Sequence, residues 1–451
     1  MSQSQIPLLG DSGVKSSQIR GDDWSTLLLI RVLYFTYYMA DAVLHPFLPE
    51  YYVSRGYGSQ IVGLIGSITP LATFLAGPAW GVVTDSMQAP FAILFATISL
   101  SILIQVLVGF VNSYYLVMLL VGMKSIISAP VRSIIDSLVL QQLKDRSEFG
   151  KMRLWGLIGA GLGTIMGGYF LEGLPFEVKG SSGHASTLNV LYLLYNYLVG
   201  YRLLFVAHIV LHIPVFLAIR SFQQDQRENT ARRAKEKDHS SGQLSTGEVL
   251  ISIFTNRDAL VFFLLVFSMG IAGGISDNFT YARFREVGAS SKSMGSSRLF
   301  SSFVGAVMFW YSGKVSSFLG TESVLLFSLL TVTVRFRLYA MMDHVWYAYV
   351  GEGLRGFTFA CFWSSATVYC SDLAPEGARS TMLLLLNGAY NGIGRSTGAV
   401  LGGQIQAVTG ATDAIFRYCS VASFAVAVVF AAYKSTIPVI GTLGHTKDKN
   451  P

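Results

Sequence analysis

The sequence predicts an all-α polytopic membrane protein with twelve transmembrane helices in two six-helix bundles that repeat one another. Three observations predict it. Of the 451 residues, 52% are hydrophobic and 13% charged, where soluble domains carry about 25% charged residues. Apolar runs recur along most of the chain, many near the roughly 20 residues that cross a bilayer. One long polar segment, residues 221–256, divides the chain near its middle.

The expected spans cover residues 25–49, 60–83, 90–111, 113–140, 151–172 and 201–220 in the first half. They continue at 257–281, 295–313, 321–341, 345–371, 380–406 and 412–433 in the second. Spans 4 and 10 are interrupted by small and polar residues, and spans 5 and 11 are rich in glycine. The expected organisation is a polar N-terminal tail (1–24), one bundle (25–220), a central loop (221–256), a second bundle (257–433) and a C-terminal tail (434–451). The N-terminal tail has no apolar run before a cleavage site, so it reads as a tail rather than a signal peptide.

Basic residues set the expected orientation. Arg227, Arg232, Arg233, Lys235 and Lys237 lie in the central loop, and Lys144, Arg146, Lys151 and Arg153 follow span 4. Threading twelve spans puts both clusters on the side of the two termini, and the positive-inside rule makes that side cytosolic. The other side receives sparser positives: Arg55, Lys179, Lys292 and Arg298. The net charge of +7 follows from this topology. No zinc-finger spacing or basic stripe points to nucleic acid. Plasma and organelle membranes are both compatible with the sequence.

The halves carry related motifs in corresponding places. "WGVVTD" (Trp80–Asp85) follows span 2 and "YSGKVSSFLG" (Tyr311–Gly320) follows span 8. "GLIGAGLGTIMGG" in span 5 matches "NGAYNGIGRSTGAVLGG" (Asn387–Gly403) in span 11. A parallel duplication of a six-helix unit would produce this pattern, and it suits alternating access around a central site.

Twelve spans, the long central loop and the "GVVTD" turn resemble the major facilitator superfamily. "MADAVLHPFLPEYYVSRGYGSQIVGLIGSI", with its Pro46-Phe47-Leu48-Pro49, resembles the lactose permease and nucleoside symporter-like branch. "GIAGGISDNFTYARFREVGAS" and "GFTFACFWSSATVYCSDLAPEGARST" resemble spans 7 and 10 of that branch. The resemblance implies a major facilitator fold and a secondary transporter of a small polar solute, of saccharide or nucleoside class. It also makes Glu352 a candidate for the coupling proton, since an acid on this helix carries it in the lactose-type member. Two departures stand out. Asp85 is followed by Ser86, Met87 and Gln88 instead of basic residues, and Gly313-Lys314 has no acid four residues on. The gating relay is therefore thin, and Asp85 is expected to rely on helix-terminal dipoles or another partner.

Charges inside apolar helices are expensive, so each is a functional candidate. Tyr34, Tyr38, Asp41 and His45 fall on one face of span 1, with Tyr37 nearby. Asp41 could take a proton, bind a polar substrate or pair with an arginine of another helix. His45 reads as a structural hydrogen-bonding group. In span 4, Arg132 and Asp136 are four apart and can pair along the helix, as a gating or structural element. Asp277 and Asn278 in span 7 are expected to line the transport path. Arg335 and Arg337 in span 9 project about 200° apart, so one faces the interior and the other snorkels toward headgroups. Glu352 and Arg355 in span 10 can pair. In span 11, Asn387, Asn391 and Arg395 recur every four residues and face one way. Small residues around them allow close helix packing, and a dinucleotide fingerprint is excluded because no βαβ unit surrounds "GIGR".

The functional expectation is a secondary transporter working by alternating access and driven by protons, because no nucleotide-binding domain is present to use ATP. Alternatives are an uncoupled facilitator, an efflux protein, or a transport-inactive receptor or scaffold with the same fold. An enzyme is not expected: His184, His208, His212, His344 and the cysteines Cys361, Cys370 and Cys419 form no catalytic set by spacing. Neither a metal nor a cofactor is called for. Protons, the solute and membrane lipids are the expected partners of a monomer.

Overall fold

A computed structural model describes residues 24–87, 89–142, 149–172, 200–233, 257–374 and 379–436. Among the described residues every regular element is helical. Span 1 is α1 (Trp24–Ala42), a 3-10 turn (His45–Phe47) and α2 (Leu48–Ser54). Spans 2 to 6 are α3 (Ser59–Met87), α4 (Pro90–Phe110), α5 (Tyr114–Gln142), α6 (Phe149–Glu172) and α7 (Tyr201–Arg233). Spans 7 to 10 are α8 (Arg257–Glu286), α9 (Ser291–Leu319), α10 (Thr321–Ala340) and α11 (Trp346–Asp372). Span 11 is α12 (Arg379–Asn387), a π-helical segment (Gly388–Gly394) and α13 (Arg395–Thr409); span 12 is α14 (Thr412–Thr436).

Three expected boundaries move, each for a local reason. Span 1 is not one helix to residue 49: Pro46 and Pro49 sit in the opening positions of the 3-10 turn and α2, where a missing N–H is tolerated. α7 runs past residue 220 to Arg233, because Gln, Arg and Glu without Gly or Pro favour helix continuation. Span 11 is interrupted by seven π-helical residues, "GAYNGIG", three of them glycine. At the turn between α8 and α9, Gly288 takes φ 80°. Ser290 then caps α9 by accepting from the Ser293 N–H at 3.1 Å.

Nine of the described helices are long and apolar enough to cross a membrane. α9, α11 and span 11 are not among them. Serine and glycine dilute these helices, and α9 packs against both α6 and α11 while α13 packs against α3 and α8. The small residues let these helices approach their neighbours closely at the cost of mean hydropathy.

The packing repeats between the halves. α1 lies on α6 as α8 lies on α13; α3 on α5 as α9 on α11; α4 on α7 as α10 on α14. In numbered spans, 1–5, 2–4 and 3–6 match 7–11, 8–10 and 9–12. Glycine makes the first pairing close on both sides. A Cβ at Gly163 would collide with the Met39 carbonyl of α1, and one at Gly274 with the Arg395 carbonyl of α13. The halves meet along two seams, α3 against α13 and α6 against α9.

Candidate functional site

The polar stripe of α1 faces α5. Tyr34 donates to Asp136 Oδ1 at 2.6 Å, Arg132 sits over the Tyr38 ring at 5.6 Å, and Arg132 pairs with Asp41 at 3.3 Å. The expected Arg132–Asp136 pairing is therefore corrected. Arg132 reaches across to α1, while Asp136 is engaged by Tyr34 and by Arg153 of α6 at 3.9 Å. The four-residue spacing allows a pair along α5, but stronger partners lie on the adjacent helices.

Beside this stripe lies a cavity of about 140 Å³, formed by α1, α3, α4, α5 and α7. Asp41, Lys124 and Arg132 supply its charges, and Tyr37, Thr69, Thr73, Ser101, Ser125 and Ser128 its hydroxyls. Lys124 donates to the amide oxygen of buried Gln105 at 2.7 Å. His45 also lines the cavity; its ring is exposed there and makes no hydrogen bond among the described residues, contrary to the structural role expected for it. The spacing of His208 and His212 suggests no catalytic set, yet both line the cavity. Each points Nδ1 at a backbone carbonyl, Ala40 and His208 respectively, both at 2.7 Å. A donor is required there, which leaves each Nε2 as an acceptor.

The second half presents a chain of charges. Arg395 of α13 pairs with Asp277 of α8 at 3.1 Å, and Asp277 accepts from Arg355 of α11 at 2.6 Å. Arg355 approaches Glu352 at 3.6 Å, and Arg298 of α9 approaches the same carboxylate at 3.6 Å. Glu352 is fully buried, accepts from Tyr339 at 3.2 Å, and its Oε2 has no hydrogen-bond partner. The expected Glu352–Arg355 contact is present, and it joins the Asp277–Arg395 pair in one continuous network. Arg335 is the interior member of the span 9 pair: it is buried and donates to Ser276 at 3.1 Å, while Arg337 is exposed. Sequence reading assigns neither Arg298 nor Arg335 a role in this cluster; only the packing of α9 and α10 brings them to it. A charge at mid-membrane costs about 3 kcal/mol on insertion scales, so each of these six in the spans needs a partner or a ligand.

Other candidates sit at its margins. Asn278 donates to Gly274 O at 2.8 Å and packs against Gly66 of α3, so it belongs to the seam between the halves. Asn391 donates to Asn387 at 2.6 Å. Asn387 is exposed, Asn391 partly buried, and neither is hydrogen-bonded to Arg395. Asn387 and Asn391 thus meet on one face as expected, while Arg395, beyond the π segment, turns to Asp277 instead. Phe74 of α3 fills the space over Gly388 and Gly392. Asp85 lies near the end of α3, and its side chain is outside the described residues.

Among the described residues, one face of the bundle is sealed and the other is not. Opposite the termini, Arg285 of α8 forks onto Glu50 of α2 with two bonds of 2.9 Å, and Lys292 pairs with Glu172 at 3.7 Å. Ser396 donates to Ser67 O at 2.9 Å, and a Cβ at Gly63 would come within 2.5 Å of Ala399 O. Past Phe74, toward the termini, a Cβ at Gly77 or Gly81 would meet nothing within 4 Å. The seam opens there.

Paired six-helix bundles with charged interiors define a multi-pass membrane protein of the transporter class. Residues 27–418 match the model of the MFS_1 like family. The chain belongs to that family. It is 23% identical over 411 residues to the maltose permease of Geobacillus stearothermophilus, covering 90% of this chain and 94% of that one. It is 20% identical to a major facilitator superfamily domain-containing protein 6-like protein B of Xenopus laevis, over 74% of this chain and 50% of that one. The fold is similar to the crystal structure of the nucleoside transporter NupG, with TM-score 0.67, 17% identity and coverage of 90% and 98%.

Proposed function

We propose that the protein is a proton-coupled secondary transporter of a small polar organic solute, of saccharide or nucleoside class. The observation that carries the coupling is Glu352: a fully buried carboxyl with one unbonded oxygen, tied through Arg355 to Asp277 and Arg395. A group so placed can gain a proton without moving, and the arginines then re-partition onto Asp277. That network spans α8, α9, α11 and α13, four helices of the second half. The hydroxyl-lined cavity of the first half supplies the solute chemistry, because ring hydroxyls are read by side-chain hydroxyls, carboxylates and guanidinium groups. The names of the maltose permease and of the nucleoside transporter support the substrate class.

In this reading both termini are cytosolic, the sealed face is outward, and the conformation is open to the cytosol. The protein acts as a monomer within lipid, with residues 25–220 and 257–433 as the moving bundles. The test is uptake of mixed sugars and nucleosides into proteoliposomes with and without an inward proton gradient. Gradient-driven accumulation, lost in Glu352→Gln while counterflow persists, is expected. If folded protein gives neither uptake nor counterflow of any solute, a transport-inactive receptor replaces this reading.

A further inference from the structure

Cations outnumber acids in the described interior of the bundle. In the second half, Asp277 is shared by Arg355 and Arg395, and Glu352 by Arg355 and Arg298. Three guanidinium groups thus divide two carboxylates. Arg335, 4% exposed, has no carboxylate within 4 Å among the described residues; it reaches the neutral Ser276, and its Nε is buried without a partner. Arg395 likewise keeps a buried Nε without a partner. In the first half, Asp41 is paired with Arg132, and Lys124 meets the neutral amide of Gln105. The remaining ion pairs between helices near the closed face are one-to-one: Arg285 with Glu50 and Lys292 with Glu172.

The imbalance lies among the charges of the described interior. With both carboxylates ionised, four arginines against Asp277 and Glu352 leave two positive charges, and Lys124 with Arg132 against Asp41 leave one more. A low-dielectric interior penalises unmatched charge far more than a surface does. A proton on Glu352 would deepen the imbalance.

We propose that the transported solute itself carries the missing counter-charge: it is an anionic organic molecule bearing a carboxylate or a phosphate. The anionic group docks in the first-half cavity between Lys124 and Arg132, whose volume of about 140 Å³ admits such a group with part of a sugar ring. Asp41 accepts from the solute's hydroxyls and repels a second anionic group. The excess charge of Arg335 and Arg395 on the other half completes the field, so that closure around an anion is favoured over closure on an empty site. This inference rests on the transport reading and narrows its substrate class to acidic or phosphorylated members.

The experiment uses full-length protein in proteoliposomes, with matched series: glucose, glucuronate and glucose phosphate, then uridine and uridine monophosphate. Uptake and calorimetric binding are measured at low and high salt. The anionic member of a series should bind about tenfold tighter than its neutral parent, the factor conferred by one charge-assisted hydrogen bond. That preference should shrink with salt. The arm that binds tighter, uronate or phosphate, names the group. In Lys124→Gln, checked for folding by its thermal unfolding profile, the ratio of anionic to neutral affinity should fall about tenfold. Lys124→Arg should restore it. Should Lys124→Gln fail to fold, the salt dependence of the wild-type ratio decides. Uptake of neutral members with no anionic preference overturns the inference and leaves the transport reading standing. Absence of uptake for every solute overturns both.

Discussion

The two halves share one packing plan but carry opposite kinds of polar interior. The first half surrounds a small cavity with hydroxyls, histidines and a single Arg132–Asp41 pair. The second strings arginines and carboxylates into one continuous chain from Arg395 to Arg298. The difference teaches how one packing plan can carry two kinds of interior. Backbone packing through glycine is retained in both halves, while the side chains facing the interior diverge into a hydroxyl-lined cavity and a chain of charges, which in the proposed function would read the solute and move charge. Removing one charge should accordingly do different things in the two.

The largest contrast is expected between Asp277→Asn and Asp41→Asn. The first leaves Arg395 facing a neutral amide and Arg355 with Glu352 alone, and should destabilise the protein by about 3 kcal/mol, the lower end for removing one partner of a buried pair. Asp41→Asn releases only the more exposed Arg132 and should lower stability by about 1 kcal/mol. Thermal unfolding in detergent compares them; equal losses would erase the proposed asymmetry. Next in size are Gly163→Leu in α6 and Gly274→Leu in α8. Each forces a side chain against a facing backbone, so a loss of about 2 kcal/mol is expected in both. Unequal losses would break the structural equivalence of the two helix pairs.

The sealed face offers a smaller test. Glu50→Gln should loosen the fork from Arg285 and raise the labelling rate of a Ser67→Cys reporter, buried in the same seam, by about tenfold, within the range of ordinary conformational coupling. An unchanged rate would show that the glycine seam alone holds the face shut. The smallest effect belongs to Asp413→Asn, which breaks the Arg417–Asp413 contact along α14. A pair of that spacing on one helix contributes roughly 0.5 kcal/mol, so unfolding should barely shift. A large shift there would mean that charge pairs at the helix ends matter as much as the interior chain.

Much of this is legible in the linear order of residues. Long apolar runs separated by polar breaks define twelve spans, because the bilayer sets one length for all of them. The glycine-rich strings of spans 5 and 11 announce the same duty in both halves, and α6 and α13 do pack alike against α1 and α8. Asp41, Asp277, Glu352 and Arg395 are visible as candidates because a charge within an apolar run is too costly to sit there without a partner or a ligand. The π segment is not visible: its glycines fit a regular helix equally well, and Phe74, which fills the space beside them, comes from span 2.

What the sequence by itself determined is the spans, their number, the duplicated packing faces and which side chains are costly enough to need a purpose. These follow from local composition and periodicity. Which partner a charge takes on another helix was decided by tertiary structure. Arg132 turned from Asp136 on its own helix to Asp41, Arg285 found Glu50 across the seam, and His208 and His212 joined a cavity with residues from four other helices. Helix periodicity specifies the face a side chain occupies, whereas the element opposite that face is set by how the helices pack, and the energy of a charge depends on that neighbour.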